Sequence, residues 1–334
     1  MQNGIRLSNQ NKMSKINRTG LVYHPDYLKH DTGGSHPERP DRLKAIIHCL
    51  RESRTVGDLD WLEPSLNKRA EIEHWIKKTH QPSHLERVQA AIPQTGLNYL
   101  DSDTPVCPFS YDVALLAVEG SLKACDAVIQ GRVRNAFCAL RPPGHHAESR
   151  RAMGFCLFNN VAIAARYLQQ QHSLQRILIV DWDVHHGNGT QEIFYEDPTV
   201  FYFSTHQYPH YPGTGTENEM GRGRGEGFTL NCPLPAGTGD QAYLEIFEKI
   251  LVPAADGFRP DFILISSGFD AHRDDPLAGM CLTEHGYAEM TRFLKQIADR
   301  HCQGRIVSCL EGGYNLEALA NSVEVHLEVL SKSN

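Results

Sequence analysis

The sequence predicts an α/β fold, a single domain around a central parallel sheet with flanking helices, and three observations carry that prediction. Short apolar runs without polar alternation recur at 136–140, 177–180, 200–204, 262–266 and 305–310. Such runs suit strands covered on both faces. Each is followed by a polar, glycine-bearing loop and in most cases by a helical stretch, the alternation expected of a parallel sheet. Acids and imidazoles gather just after the strand ends, where open α/β sheets bind ligands, and right-handed crossovers place all those loops along one edge. The 334 residues leave room for two domains, but the unbroken alternation argues for one.

In chain order, residues 1–18 carry Arg6, Lys12, Lys15 and Arg18 but no apolar core of a signal peptide, and read as a mobile tail before a domain at 19–334. A first strand is expected at 21–23, and then a His-, Gly- and Pro-rich loop over 24–40. Asp41 is placed as the cap of a helix to about Ser53, with Leu43, Ile46, Ile47 and Leu50 inward. Arg39, in the preceding Ser-His-Pro-Glu-Arg-Pro segment, reads equally as a buried anchor for carbonyls or as a surface cation. Residues 62–96 look helical and polar with poor periodicity, 101–105 look like a turn, and 111–129 form a long amphipathic helix. Further helices are expected at 161–171, 191–195, 241–258 and 284–300, with a long loop at 208–227. A loop of that length inside a compact domain suggests function.

Composition narrows the classes. With 40% hydrophobic residues and a net charge of -7, the chain reads as soluble and offers no electrostatic case for direct nucleic-acid binding. No apolar run reaches the roughly 20 residues that span a bilayer, so no membrane partner is expected. The nine cysteines are scattered without a Cys-x-x-Cys pair and read as reduced thiols of a cytoplasmic protein. The oligomeric state stays open, a homo-oligomer included.

The chemistry concentrates after the strand at 177–180. Asp181, Asp183 and His185 stand at spacing two, which puts their side chains on one face of an extended segment. Acids in a polar loop are the commoner reading of any single aspartate, but two carboxylates and an imidazole together make half a metal site. Asp270, after the strand at 262–266, completes three N and O ligands and leaves a position open for water, the mark of a catalytic site. His145 and His146, presented by a backbone stiffened by Pro142 and Pro143, are placed to move protons. Tyr314, on a Gly-Gly hinge, is placed to donate to a developing oxyanion. Metal-assisted amide hydrolysis follows, and no Gly-x-Ser-x-Gly elbow argues for a covalent route.

The motifs RPPGHH at 141–146, GFCLFNN at 154–160, DWDVHHGNG at 181–189, SSGFD at 266–270 and EGGYN at 311–315 resemble, in this order, the histone deacetylase superfamily of the class II and bacterial type. The resemblance implies an arginase/deacetylase-like fold with about eight parallel strands. It implies a zinc enzyme, with Fe2+ as the alternative, that removes acetyl or other acyl groups from lysine side chains of a protein or peptide. By that resemblance Asp183, His185 and Asp270 are the metal ligands, His146 the general base, and His145 its charged companion paired with Asp181. Asn188 stands where some members pair an Asp with the base, which leaves His146 less basic. Tyr314 matches the transition-state tyrosine. Gly154, Phe155 and Tyr211 match the substrate tunnel, Asp103 a rim acid that holds the substrate backbone, and Arg39 a buried arginine behind the site. Structural potassium is implied at Asp181, Asp183, His185, Ser204 and Thr205, and more weakly around Phe194, Asp197, Val200 and Phe228.

Three rivals are weighed against this reading. An acetylpolyamine hydrolase of the same fold would carry an acid after the Asp275-Pro276 step, where this chain has Leu277. A non-catalytic binding protein would have no use for the complete set of ligands, histidines and Tyr314. An arginase-like dimanganese site would need more carboxylates than these loops offer.

Overall fold

The computed structural model describes residues 18–332 except Thr55 and Gly57, so the predicted tail at 1–18 lies, apart from Arg18, outside the described residues. Eight parallel strands form one sheet: β1 (Thr19–Val22), β2 (Leu59–Leu62), β3 (Asn135–Cys138), β4 (Ile177–Asp181), β5 (Val200–Gln207), β6 (Thr229–Leu234), β7 (Phe262–Ser267) and β8 (Ile306–Leu310). Their spatial order is β2-β1-β3-β8-β7-β4-β5-β6, and every pairing is parallel. The four middle strands, β3, β8, β7 and β4, precede the four motif loops with chemical side chains. Topology thus turns segments more than a hundred residues apart in sequence into neighbours at one sheet edge. Register keeps that edge flush, with Asp181 opposite both Ser266 of β7 and Ser204 of β5.

Helices cover both faces: α1 (Asp41–Glu52), α2 (Arg69–Thr79), α3 (Pro82–Ala90), α4 (Ser110–Ile129), α5 (Asn160–Gln171), α6 (Asn188–Phe194), α7 (Asp240–Ile246), α8 (Val252–Phe258), α9 (Glu284–His301) and α10 (Leu316–Ser331). Every residue of β4 is buried, as its unbroken aliphatic run implies. α5 is capped by Asn159, whose side chain accepts from the Ala162 N–H, so this helix starts at the end of the GFCLFNN motif.

Several sequence expectations are corrected. β2 is a strand beginning before the stretch read as helical, and that stretch holds two short helices, α2 and α3. β2 lies at the sheet edge with three of its four residues only partly buried or exposed, so its apolar signal is weak. β6 and α10 were not anticipated from the sequence, β6 for the same reason at the opposite edge. Asp41 is the first residue of α1, whose N-cap is Pro40 with no side-chain capping bond. Between α7 and α8 the expected continuous helix passes through a π-helical turn at Phe247–Leu251. The turn at 101–105 is the bend of a small antiparallel ribbon, Asn98–Tyr99 against Pro105–Val106.

Candidate active site

Asp183 and His185 follow β4, and Asp270 follows β7; one ligand atom from each lies within 4.8 Å of the others, and all three side chains are buried. Backbone N–H groups hold the carboxylates: His185 N donates to Asp183 Oδ1 (2.9 Å), Gly312 N to Asp183 Oδ2 (2.8 Å) and Val184 N to Asp270 Oδ1 (2.9 Å). Asp270 Oδ2 is left buried without a well-angled hydrogen bond, although His185 Nδ1 stands 3.2 Å away. Side-chain space is withheld around these oxygens, since a Cβ on Gly312 would come 2.0 Å from Asp270 Oδ2 and 2.6 Å from Asp183 Oδ2. Burial opposes charge on His185, yet Asp183 and Asp270 outweigh it and push the imidazole up to about 10. Burial raises Asp270, and Asp183 adds to it. Two carboxylates and an imidazole so close call for positive charge between them, and one imidazole and two carboxylates are a donor set suited to a divalent ion. The residues fit such an ion.

His145 and His146 leave the end of β3 with ring centroids 4.0 Å apart and opposite electrostatic surroundings. His145 Nδ1 donates to Asp181 Oδ2 (3.0 Å), and its Nε2 lies 3.8 Å from Asp183. Burial disfavours its charge, but Asp183 and Asp181 prevail and push it up to about 10. His146 is lowered well below the usual imidazole range by burial and then by its neighbours His145 and His185. Its Nδ1 faces Asn188 Oδ1 at 2.8 Å. One histidine is therefore held charged and the other neutral, the separation that assigns acid and base roles.

Tyr314 sits half-buried after β8, its phenol raised well above its ordinary value by burial and by Asp270. Its backbone N–H donates to Asp275 Oδ2 (2.7 Å), while Leu277 N donates to Asp275 Oδ1 (3.0 Å), so one carboxylate ties two loops together. Burial pushes Asp275 up to about 7.

These groups border a cavity of about 90 Å³. His145, His146, His185 and Gly312 line its buried end; Phe155, Tyr211, Leu277, Asp103 and Tyr314, each partly exposed, line the way in. Gly154 has φ +56, and a Cβ there would stand 2.4 Å from the His146 ring. Its N–H donates to Asp103 Oδ1 (3.2 Å), which joins the ribbon turn to the cavity wall. Of two larger grooves, of about 410 and 600 Å³, the second reaches Asn188 from behind, and neither gathers a metal-ligand set among the described residues.

Ser204 and Thr205, within β5, are fully buried beside Asp181. Thr205 Oγ1 has no hydrogen-bond partner, an orphaned oxygen in keeping with a cation there, while Ser204 Oγ is engaged with His206 Nδ1 (2.9 Å). At the second expected position, the Asp197 side chain is taken by Arg166 and Thr199, which leaves only backbone oxygens around Phe194, Val200 and Phe228.

Arg39 is not the buried arginine. It is partly exposed, 3.6 Å from Asp41, in the segment that precedes α1. The anchors are Arg42, on the inner face of α1, and Arg141. Arg42 donates to Gly313 O (2.6 Å) and Glu311 O (2.5 Å), and its guanidinium lies 5.0 Å from the Tyr314 ring centre. Arg141 donates to Glu38 and to Tyr27 O (3.1 Å) and His30 O (3.0 Å). Burial works against the Glu38 charge, but Arg141 and Arg42 hold its carboxyl at about 2. Sequence reasoning also passed over Glu311, which accepts from Gly144 N (2.6 Å) and His145 N (3.1 Å) and so fixes the backbone that presents the histidine pair. Its place at the head of EGGYN was the available signal.

A parallel sheet carrying a buried Asp-His-Asp group that could hold a metal ion, beside paired histidines, is an arrangement suited to hydrolysis. The chain belongs to the histone deacetylase family: the family's domain matches residues 36–330. It is 44% identical over 301 residues to a "Probable deacetylase" of Archaeoglobus fulgidus, covering 90% of this chain and 82% of the relative. It is 43% identical to "Histone deacetylase 14, chloroplastic" of Arabidopsis thaliana, covering 86% of this chain and 71% of that protein. The crystal structure of the HDA15 HD domain superposes with a TM-score of 0.87 at 38% identity, covering 94% of this chain and 89% of that one. The protein is accordingly a hydrolase acting on amide bonds. Among the described residues, no helix is long and apolar enough to cross a membrane.

Proposed function

We propose that this protein is a zinc-dependent deacylase of lysine side chains, with residues 19–334 as its catalytic unit. The observation that carries the reading is one small cavity whose buried end joins a charged imidazole, a neutral imidazole and a carboxylate-imidazole metal set. A divalent ion held by Asp183, His185 and Asp270, zinc or alternatively Fe2+, would polarise the amide carbonyl and lower the pKa of a water.

This chain's own residues supply the rest. Phe155 and Tyr211 enclose the aliphatic stem of the acyl-lysine, and Asp103 accepts hydrogen bonds from the substrate backbone at the mouth. Neutral His146 takes the proton of the attacking water, then returns it to the leaving amine. His145, kept charged by Asp181 and Asp183, stabilises the negative charge that develops. Tyr314, kept protonated by its raised pKa, donates to the oxyanion. Potassium at Asp181, Asp183, His185, Ser204 and Thr205 would neutralise the acids behind the site.

Leu277 favours acyl-lysine over an acetylpolyamine, because an aliphatic group packs on a neutral stem and peptide backbone but offers an ammonium only desolvation. The scattered thiols support a reducing compartment such as the cytoplasm. Turnover of acyl-lysine peptides of increasing acyl length and of acetylpolyamines, by metal-stripped protein and after zinc or Fe2+ is restored, tests the whole reading. Preference for the polyamines, or full activity without metal, would overturn it.

A further inference from the structure

We propose that Glu148 is a positioning residue that, through Asn188, determines which ring nitrogen of His146 is free to take a proton; this rests on the reading of His146 as general base. Asn188 Oδ1 faces His146 Nδ1 at 2.8 Å. On its other side Asn188 Nδ2 faces Glu148 Oε1 at 2.7 Å and Met153 Sδ at 3.4 Å. A carboxylate oxygen and a thioether accept hydrogen bonds and have none to give. The amide must therefore turn its NH2 toward Glu148 and Met153, which leaves its oxygen toward the imidazole. An amide oxygen only accepts, so the His146 proton resides on Nδ1 and the lone pair on Nε2.

The opposite amide orientation would set Oδ1 against the Glu148 carboxylate and offer an N–H to His146 Nδ1. The ring would then carry its proton on Nε2, where it cannot act as a base. An aspartate at 188 would not need this help, since both of its oxygens accept. The asparagine creates an ambiguity that a third residue has to remove. Glu148 is held to do so by its own backbone: its N–H donates to Arg151 O (2.9 Å) and its carbonyl accepts from His80 Nδ1 (2.8 Å). Its side chain is half-buried, at the edge of the groove of about 600 Å³ that runs behind the site.

The test is the tautomer of His146, read in long-range 1H–15N spectra of the full-length, 15N-histidine-labelled protein and assigned with His146→Gln. The native protein should show Nδ1–H and a bare Nε2. Glu148→Leu should move the population toward Nε2–H and lower kcat for an acetyl-lysine peptide by about 10- to 100-fold with little change in KM. Glu148→Gln still offers an amide oxygen to Asn188 and should restore the tautomer and most of kcat, which a merely folded-state role for the charge would not. A native tautomer in Glu148→Leu, or an equal loss in Glu148→Gln and Glu148→Leu, would overturn the proposal. An inactive native protein would instead sink the deacylase reading, and the tautomer would still decide the role of Glu148.

Discussion

At the scale of single residues, the site works by giving chemically identical groups different surroundings. His145 and His146 are sequence neighbours, yet Asp181 and Asp183 charge one while burial keeps the other neutral. Replacing Asp183 by Ala should empty the metal set; stoichiometric metal in the purified variant, by elemental analysis, would contradict that assignment. Tyr314→Phe removes a hydroxyl and little volume, so metal content and unfolding midpoint should hold while kcat falls by roughly 10²- to 10³-fold. Leu277→Glu places a carboxylate beside the cavity mouth, where it would attract an ammonium. The ratio of kcat/KM for N8-acetylspermidine over an acetyl-lysine peptide should rise, and an unmoved ratio would locate selectivity elsewhere.

At the scale of elements, helix α1 has a task beyond covering the sheet. Its inner face carries Arg42, which clamps the carbonyls of Glu311 and Gly313 on either side of Gly312 and so steadies the turn that carries Tyr314. Arg42→Met would leave two carbonyls without their donor and remove one partner of buried Glu38, at a cost of about 3 kcal/mol. It should also lower kcat on the order of tenfold, because Tyr314 then has more orientations to choose from. Arg42→Lys should not rescue either loss, as one ammonium cannot reproduce the guanidinium fork. Urea unfolding and steady-state kinetics on both variants read the two effects separately.

At the scale of the whole molecule, buried neutral histidines tie the fold to pH. His326, between Thr291 and Ser308, is lowered to about 3 by burial; His80 is lowered to about 3 by burial and by His84. Thr291 spends its hydroxyl proton on Tyr287 O, so His326 donates from Nδ1 and accepts from Ser308 at Nε2. Protonation would cost it that acceptor. Folded-state values below the unfolded imidazole mean that the unfolded chain binds the extra protons. Stability is therefore fully present above about pH 6.5 and falls on acidification toward pH 3, by about 1.4 kcal/mol per pH unit for each histidine. His326→Gln should remove its share of that slope between about pH 6 and pH 4 in urea titrations, and an unchanged slope would show that His326 does not contribute.

The sequence by itself determined what is local. Unbroken aliphatic runs specified the central strands, because a strand buried on both faces has no polar position to spare. Spacing of two in Asp181-Trp182-Asp183-Val184-His185 put three polar groups on one side, and the motif order was enough for the family. The edge strands β2 and β6 escaped, since half-exposed strands carry a weak apolar signal. What only the tertiary structure decided is which distant residue completes a local group. Arg39 and Arg42 differ by less than one helical turn, and only the start of α1 and the sheet beneath it decide which points inward. Glu311 under the histidine backbone, Asp275 between two loops and Glu148 behind Asn188 are likewise fixed by the contiguity of β3, β8, β7 and β4. A strand order is set by non-local packing, which no window of sequence records.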